Sequence, residues 1–123
     1  MWEVEPSDSF QARYRAFWKK CQDEAEKTLD NLETIRQALE SGVKPSQLKS
    51  GFIHREVNGT IAVDASGLKG RRRPRQARLY VYLCEQTQTI HLITIGGKDT
   101  QQRRDIPDCR AFMKKFQGRG EDG

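Results

Sequence analysis

Cysteine is scarce in this chain. Cys21, Cys84 and Cys109 are the only three, odd in number and far apart. No C-x-x-C or paired Cys/His spacing is present, so neither a disulfide framework nor a bound metal is expected. Reduced thiols in a cytoplasm are the expectation, and no signal-peptide pattern opposes it. No apolar run approaches the ~20 residues of a membrane span, so no membrane association is expected. Histidine is scarcer still: only His54 and His91 can titrate near neutrality. Gly96-Gly97-Lys98 lacks the spacing of a phosphate loop. Apolar residues make up only 35% of the chain, which implies a thin core.

Charge is what the chain has in abundance. Asp, Glu, Lys and Arg make up 32% of the 123 residues, with a net charge of +5. The balance is uneven along the chain. Residues 1–64 carry 9 basic and 11 acidic side chains, and residues 65–123 carry 13 and 6. Residues 68–78 hold six Lys/Arg and no acid. Such a run, with Lys69, Arg71, Arg72, Arg73 and Arg75 in it, favours a polyanion through phosphate contacts. A solvated loop is the plainer alternative.

The length suits one domain, here residues 1–117, with 118–123 expected as a disordered tail. Trp2 to Glu5 alternates and can form a short strand before Pro6. Ser7-Asp8-Ser9 offers helix caps. From Phe10 to Leu39 apolar residues recur at spacings of three and four, a helical stripe ending at Ser41-Gly42. Periodicity leaves open whether this is one long helix or a pair broken near Lys20–Asp23. Pro45 marks one short turn. Asn58-Gly59 lies between two apolar runs, Phe52–Val57 and Thr60–Asp64, and predicts a hairpin. Arg78–Cys84 and Thr89–Ile95 predict a second, joined through Glu85–Gln88. A last helix is expected from about Asp105 to Phe116, with Pro107 in its first turn and Asp105 as a candidate cap.

The fold class is therefore α+β: a small antiparallel β-sheet with helices on one face. Leu79, Val81 and Leu83 should face the helices, leaving Arg78, Tyr80 and Tyr82 on an open face. A guanidinium and two phenols in a row suit single-stranded RNA, the rings stacking on bases and Arg gripping phosphate. Cleavage would further need proton transfer. His54 is a candidate for it, whereas His91, in an apolar strand, reads as structural. Lys69 and Lys98 qualify only if their surroundings lower their pKa values.

Arg78-Leu79-Tyr80-Val81-Tyr82, an apolar strand, and Gly96-Gly97-Lys98-Asp99-Thr100-Gln101-Gln102-Arg103-Arg104-Asp105-Ile106 together form a pattern. It resembles the C-terminal half of RelE/ParE-superfamily toxins, closest to the HigB-like, "addiction module killer protein" branch. Here the family's Gly-Gly-Asp-Lys order is exchanged and one residue is inserted before Asp105. The resemblance implies an N-terminal helical hairpin on one face of the sheet and a C-terminal helix. It implies a toxin that cleaves mRNA without a metal or other cofactor, usually on the ribosome, and that is restrained by a helix-turn-helix antitoxin. By position it assigns the scissile phosphate to Lys69, Arg71 and Arg78, with Lys98 as a further cation. No His or Tyr follows His91, although some members use one there for proton transfer. Two other readings remain open: a non-catalytic RNA- or ribosome-binding module, and a ParE-like gyrase inhibitor.

Overall fold

The computed structural model describes residues 1–56, 59–67, 77–97 and 102–121, except for the side chains of 102–106 and 117–121. The elements run β1 (Glu3–Pro6), α1 (Asp8–Lys20), α2 (Gln22–Glu40), a 3₁₀ turn (Pro45–Gln47), β2 (Ile53–Arg55), β3 (Ile61–Asp64), β4 (Ala77–Cys84), β5 (Thr89–Gly97) and α3 (Gln102–Glu121). They form an α+β domain with one five-stranded sheet, ordered β1-β5-β4-β3-β2. β2 to β5 pair antiparallel, and β1 adds to β5 in parallel.

Ser7 starts the helical layer and anchors it. Its hydroxyl accepts the Phe10 N–H at 3.0 Å and donates to the Ile93 carbonyl at 2.7 Å. One side chain thus caps α1 and ties it to β5. The helical stripe breaks at Cys21, whose φ of −141° and ψ of 60° leave the helical region. Cys21 N–H still bonds Phe17 O, and Cys21 O already accepts Ala25 N–H, so the break costs little pairing. Trp18 donates to Glu26 at 3.2 Å, and the Tyr14 phenol is pushed up by burial and by Glu26 and Asp30. The two helices therefore form the hairpin. At the end of α2, Gly42 takes a φ of +102°, which a side chain would disfavour.

α1 and α2 cover one sheet face. Phe10, Ala25, Leu32, Ile35 and Leu39 share a core with Leu79, Val81 and Leu83, the orientation the alternation predicts. The other face is not open. α3 packs on it through Cys109 and Phe112, against Ala62, Tyr80 and Ile93. Arg13 in α1 contacts this layer as well, reaching Asp108 at 2.9 Å and Thr94 at 3.3 Å. The expectation of helices on a single face is thus overturned. The last helix has its own apolar stripe, and the second face of β4 and β5 is apolar enough to receive it. A register shift helps: Tyr80 pairs with Thr94 but Val81 with Leu92, so Ile93 is extra and joins Tyr80 under α3. α3 also begins earlier and ends later than expected. Asp105 lies inside it and is not its cap, Pro107 falls in its second turn, and its helical backbone takes in residues 118–121 of the stretch expected to be disordered.

His91 is a structural member of this second layer. Its ring packs on Phe116 at 5.1 Å and Phe112 at 5.5 Å, and its Nε2 is buried without a hydrogen-bond partner. Burial pushes its pKa below the ordinary 6.5, only partly offset by Glu5. A base whose pKa is depressed by folding contributes stability above its unfolded pKa and loses it as pH falls through the folded one. Urea unfolding at about pH 7.5 and about pH 5.5 should show a loss for the wild type that shrinks in His91→Phe. Leu79, fully buried, should cost about 2–5 kcal/mol as Leu79→Ala. Val4→Ala, at an exposed position, should stay within about 0.5 kcal/mol in the same assay.

Candidate nucleic-acid interface

Burial of both sheet faces directs attention to one end of the sheet. There β3 finishes at Asp64, β4 starts at Ala77 and Arg78, and β5 finishes at Gly97. Asp64 pairs with Arg78, and Arg78 with Gly96. The cationic stretch connects β3 to β4 at this end. Lys69, Arg71, Arg72, Arg73, Arg75 and Lys98 themselves lie outside the described residues.

Four described side chains form two pairs here. His54 Nε2 lies 2.7 Å from Asp64 Oδ2. The carboxylate accepts, so Nε2 donates its proton to Asp64 and the ring is held in one orientation. The His54 side chain is 36% exposed and that of Asp64 23%, so the ring is reachable while its carboxylate is mostly covered. Asp64 Oδ1 also accepts the Ser66 N–H at 2.9 Å. Burial raises the Asp64 pKa, but the hydrogen bonds from His54 and Ser66 outweigh it and hold the carboxyl below 3.8. The second pair is Arg78 Nη1 with Glu56 Oε1 at 3.0 Å, the side chains 14% and 15% exposed.

Strand geometry places His54, Asp64 and Arg78 together, whereas Glu56 stands opposite Thr60, four residues before Asp64, and reaches Arg78 with its side chain. His54 pairs with Ala62, and Ala62 with Tyr80, so His54, Ala62 and Tyr80 share the α3-side face. Asp64 and Arg78 follow two residues from Ala62 and Tyr80 on that same face. An acid–base ring, its orienting carboxylate and a guanidinium therefore meet at one corner of the sheet.

The structure changes the aromatic part of the expectation. Tyr80 is fully buried beneath α3 and cannot stack on a base. Tyr82 packs edge-on against Phe116 at 5.2 Å and beside His91 at 6.1 Å. The row of open tyrosines is replaced by an aromatic cluster that docks the last helix. Among the predicted site residues that are described, His54 and Arg78 come to the same corner.

Asp64 and Glu56 are the site residues that sequence reasoning passed over. The signal lay in the hairpin register. A two-residue Asn58-Gly59 connection would pair residue 57 with 60 and turn His54 to the other face. Instead Glu56 N–H bonds Thr60 O at 2.9 Å and His54 pairs with Ala62, so three residues intervene.

Comparison with protein-family models, with curated proteins and with solved structures yields no match. Among the described residues no helix is long and apolar enough to cross a membrane, and no group of three or more His, Cys, Asp or Glu side chains could hold a metal ion.

The Asp64 pair has a pH signature. Its depressed carboxyl contributes stability that is fully present above pH 3.8 and is lost as pH falls through the lower folded value. In an acid titration followed by circular dichroism, Asp64→Asn should start less stable than the wild type and lose less stability as the pH drops below 3.8.

Proposed function

We propose that this chain is the toxin of a toxin–antitoxin pair, an endoribonuclease that cuts mRNA on the ribosome and so inhibits translation. The observation that carries the reading is the His54–Asp64 pair, set on the same sheet corner as Arg78, where the cationic stretch joins the sheet. The resemblance of residues 77–106 to RelE/ParE-superfamily toxins supplies the reaction class.

The chemistry required is modest. A 2′-hydroxyl attacks the adjacent phosphorus, the new P–O bond closes a cyclic phosphate, and the 5′-oxygen leaves. The 2′-oxygen must lose a proton and the leaving oxygen must gain one. In this reading His54 Nδ1 takes the proton of the 2′-hydroxyl while Asp64 holds Nε2–H and steadies the imidazolium. Arg78 offsets the charge that builds on the phosphorane oxygens. Lys69, Arg71 and Lys98 add positive charge around the phosphate in this reading, and Arg72, Arg73 and Arg75 hold the flanking RNA backbone. Tyr80 has no part in it. The setting is the cytoplasm, and the antitoxin, in the family a helix-turn-helix protein, would lay an acidic segment across Lys69–Arg78.

End-labelled mRNA incubated with the protein, with and without translating ribosomes, tests the reading. Cuts should need ribosomes, and His54→Ala should slow them about 10²–10⁴-fold. Removing Arg78 alone would strand Glu56, so Arg78→Ala is made together with Glu56→Gln; this double variant should fold and leave the RNA uncut. Full cleavage by either variant would sink the assignment. Tight, salt-sensitive RNA binding without any cut by the wild type would instead favour the non-catalytic binding module, and DNA damage signalling with intact mRNA the gyrase inhibitor.

A further inference from the structure

The Arg78–Glu56 pair is out of keeping with a guanidinium that waits for phosphate. Its charge is already answered, at 3.0 Å, by a carboxylate almost as buried as itself. The two carboxylates are divided between different partners: Asp64 is committed to His54 and Ser66, and Glu56 to Arg78. Glu56 can therefore leave Arg78 without disturbing the histidine pair.

We infer that Glu56 is a positioning residue that holds Arg78 until a phosphate group displaces it. The inference rests on the reading of Arg78 as a phosphate ligand. A phosphate and a carboxylate seek the same planar fork of N–H donors and carry charge of the same sign. They cannot share it in a corner with so little solvent, because like charges repel strongly where screening is weak. Binding is then an exchange: Glu56 turns outward as phosphate takes its place. In the free protein the pair keeps the guanidinium in one orientation and neutralises it toward stray anions. A ligand must offer more than a single anionic group to win the exchange. A polyanion whose other phosphates are held nearby meets that demand, which selects for RNA over free phosphate.

The Arg78 Nε–H signal, assigned by its loss in Arg78→Lys, can be followed by NMR in ¹⁵N-labelled full-length protein titrated with inorganic phosphate. Glu56→Gln keeps the shape of the side chain and removes its charge. The signal should shift saturably in Glu56→Gln at phosphate concentrations about tenfold lower than in the wild type. Glu56→Asp, which keeps the charge with a shorter reach, should fall between them and serves if Glu56→Gln does not fold. Equal titrations in wild type and variant, or no shift in either, would overturn the inference. A single-stranded RNA of about twelve nucleotides, measured by fluorescence anisotropy on the same proteins, separates this idea from the functional reading. Phosphate exchange that depends on Glu56, with no RNA bound by either protein, would retain the gate and sink the RNA reading. RNA binding with equal phosphate titrations would do the reverse.

Discussion

β4 has no wet side. Leu79 and Tyr80 are adjacent in the chain, point to opposite faces of the sheet, and are both fully buried. A strand that is apolar on both faces must be covered on both, since each large side chain left in water forgoes about 1.5–3 kcal/mol of burial. The α1–α2 hairpin satisfies the face that carries Leu79, Val81 and Leu83. The face that carries Tyr80 is left to α3, which brings Cys109 and Phe112 down onto it. The extra residue in β5, Ile93, adds apolar bulk to that second face. With both faces closed, the polar groups of the proposed site are confined to the corner of the sheet.

That corner is polar because the strands end there. Arg78 stands at the start of β4 and Asp64 at the end of β3, two residues beyond the fully buried Tyr80 and Ala62 on the same face. Their alternation continues the core pattern, but α3's apolar contacts lie with Ala62 and Tyr80. The face thus changes from core to site within one strand pair. His54, on the short edge strand β2, completes the corner by reaching Asp64. A short edge strand bearing a basic residue also offers little to a stray pairing strand.

Local patterns made much of this legible in the sequence. The helical stripe from Phe10 to Leu39, the alternation of Leu79, Val81 and Leu83, and the antiparallel hairpin of β2 and β3 each follow from neighbours in the chain. The break at Cys21 carries no Gly or Pro, so only packing reveals it. The apolar face of the last helix was plain, but a stripe does not say which face of a sheet it will cover. The parallel pairing of β1 with β5 depends on the whole topology. His54 and Arg78 stood out by residue type. Their carboxylates did not, because a three-residue hairpin connection sets which residues share a face, and one residue's difference reverses it.

The RNA contact proposed for this protein lies at the sheet corner and not on a sheet face. Backbone amide shift mapping with a short single-stranded RNA tests it most directly. The account predicts perturbations centred on His54, Asp64 and Arg78, with the packed face of α3, around Cys109 and Met113, undisturbed. Shifts concentrated on α1, on α2 or on Tyr80 and Cys109, with the corner silent, would contradict it.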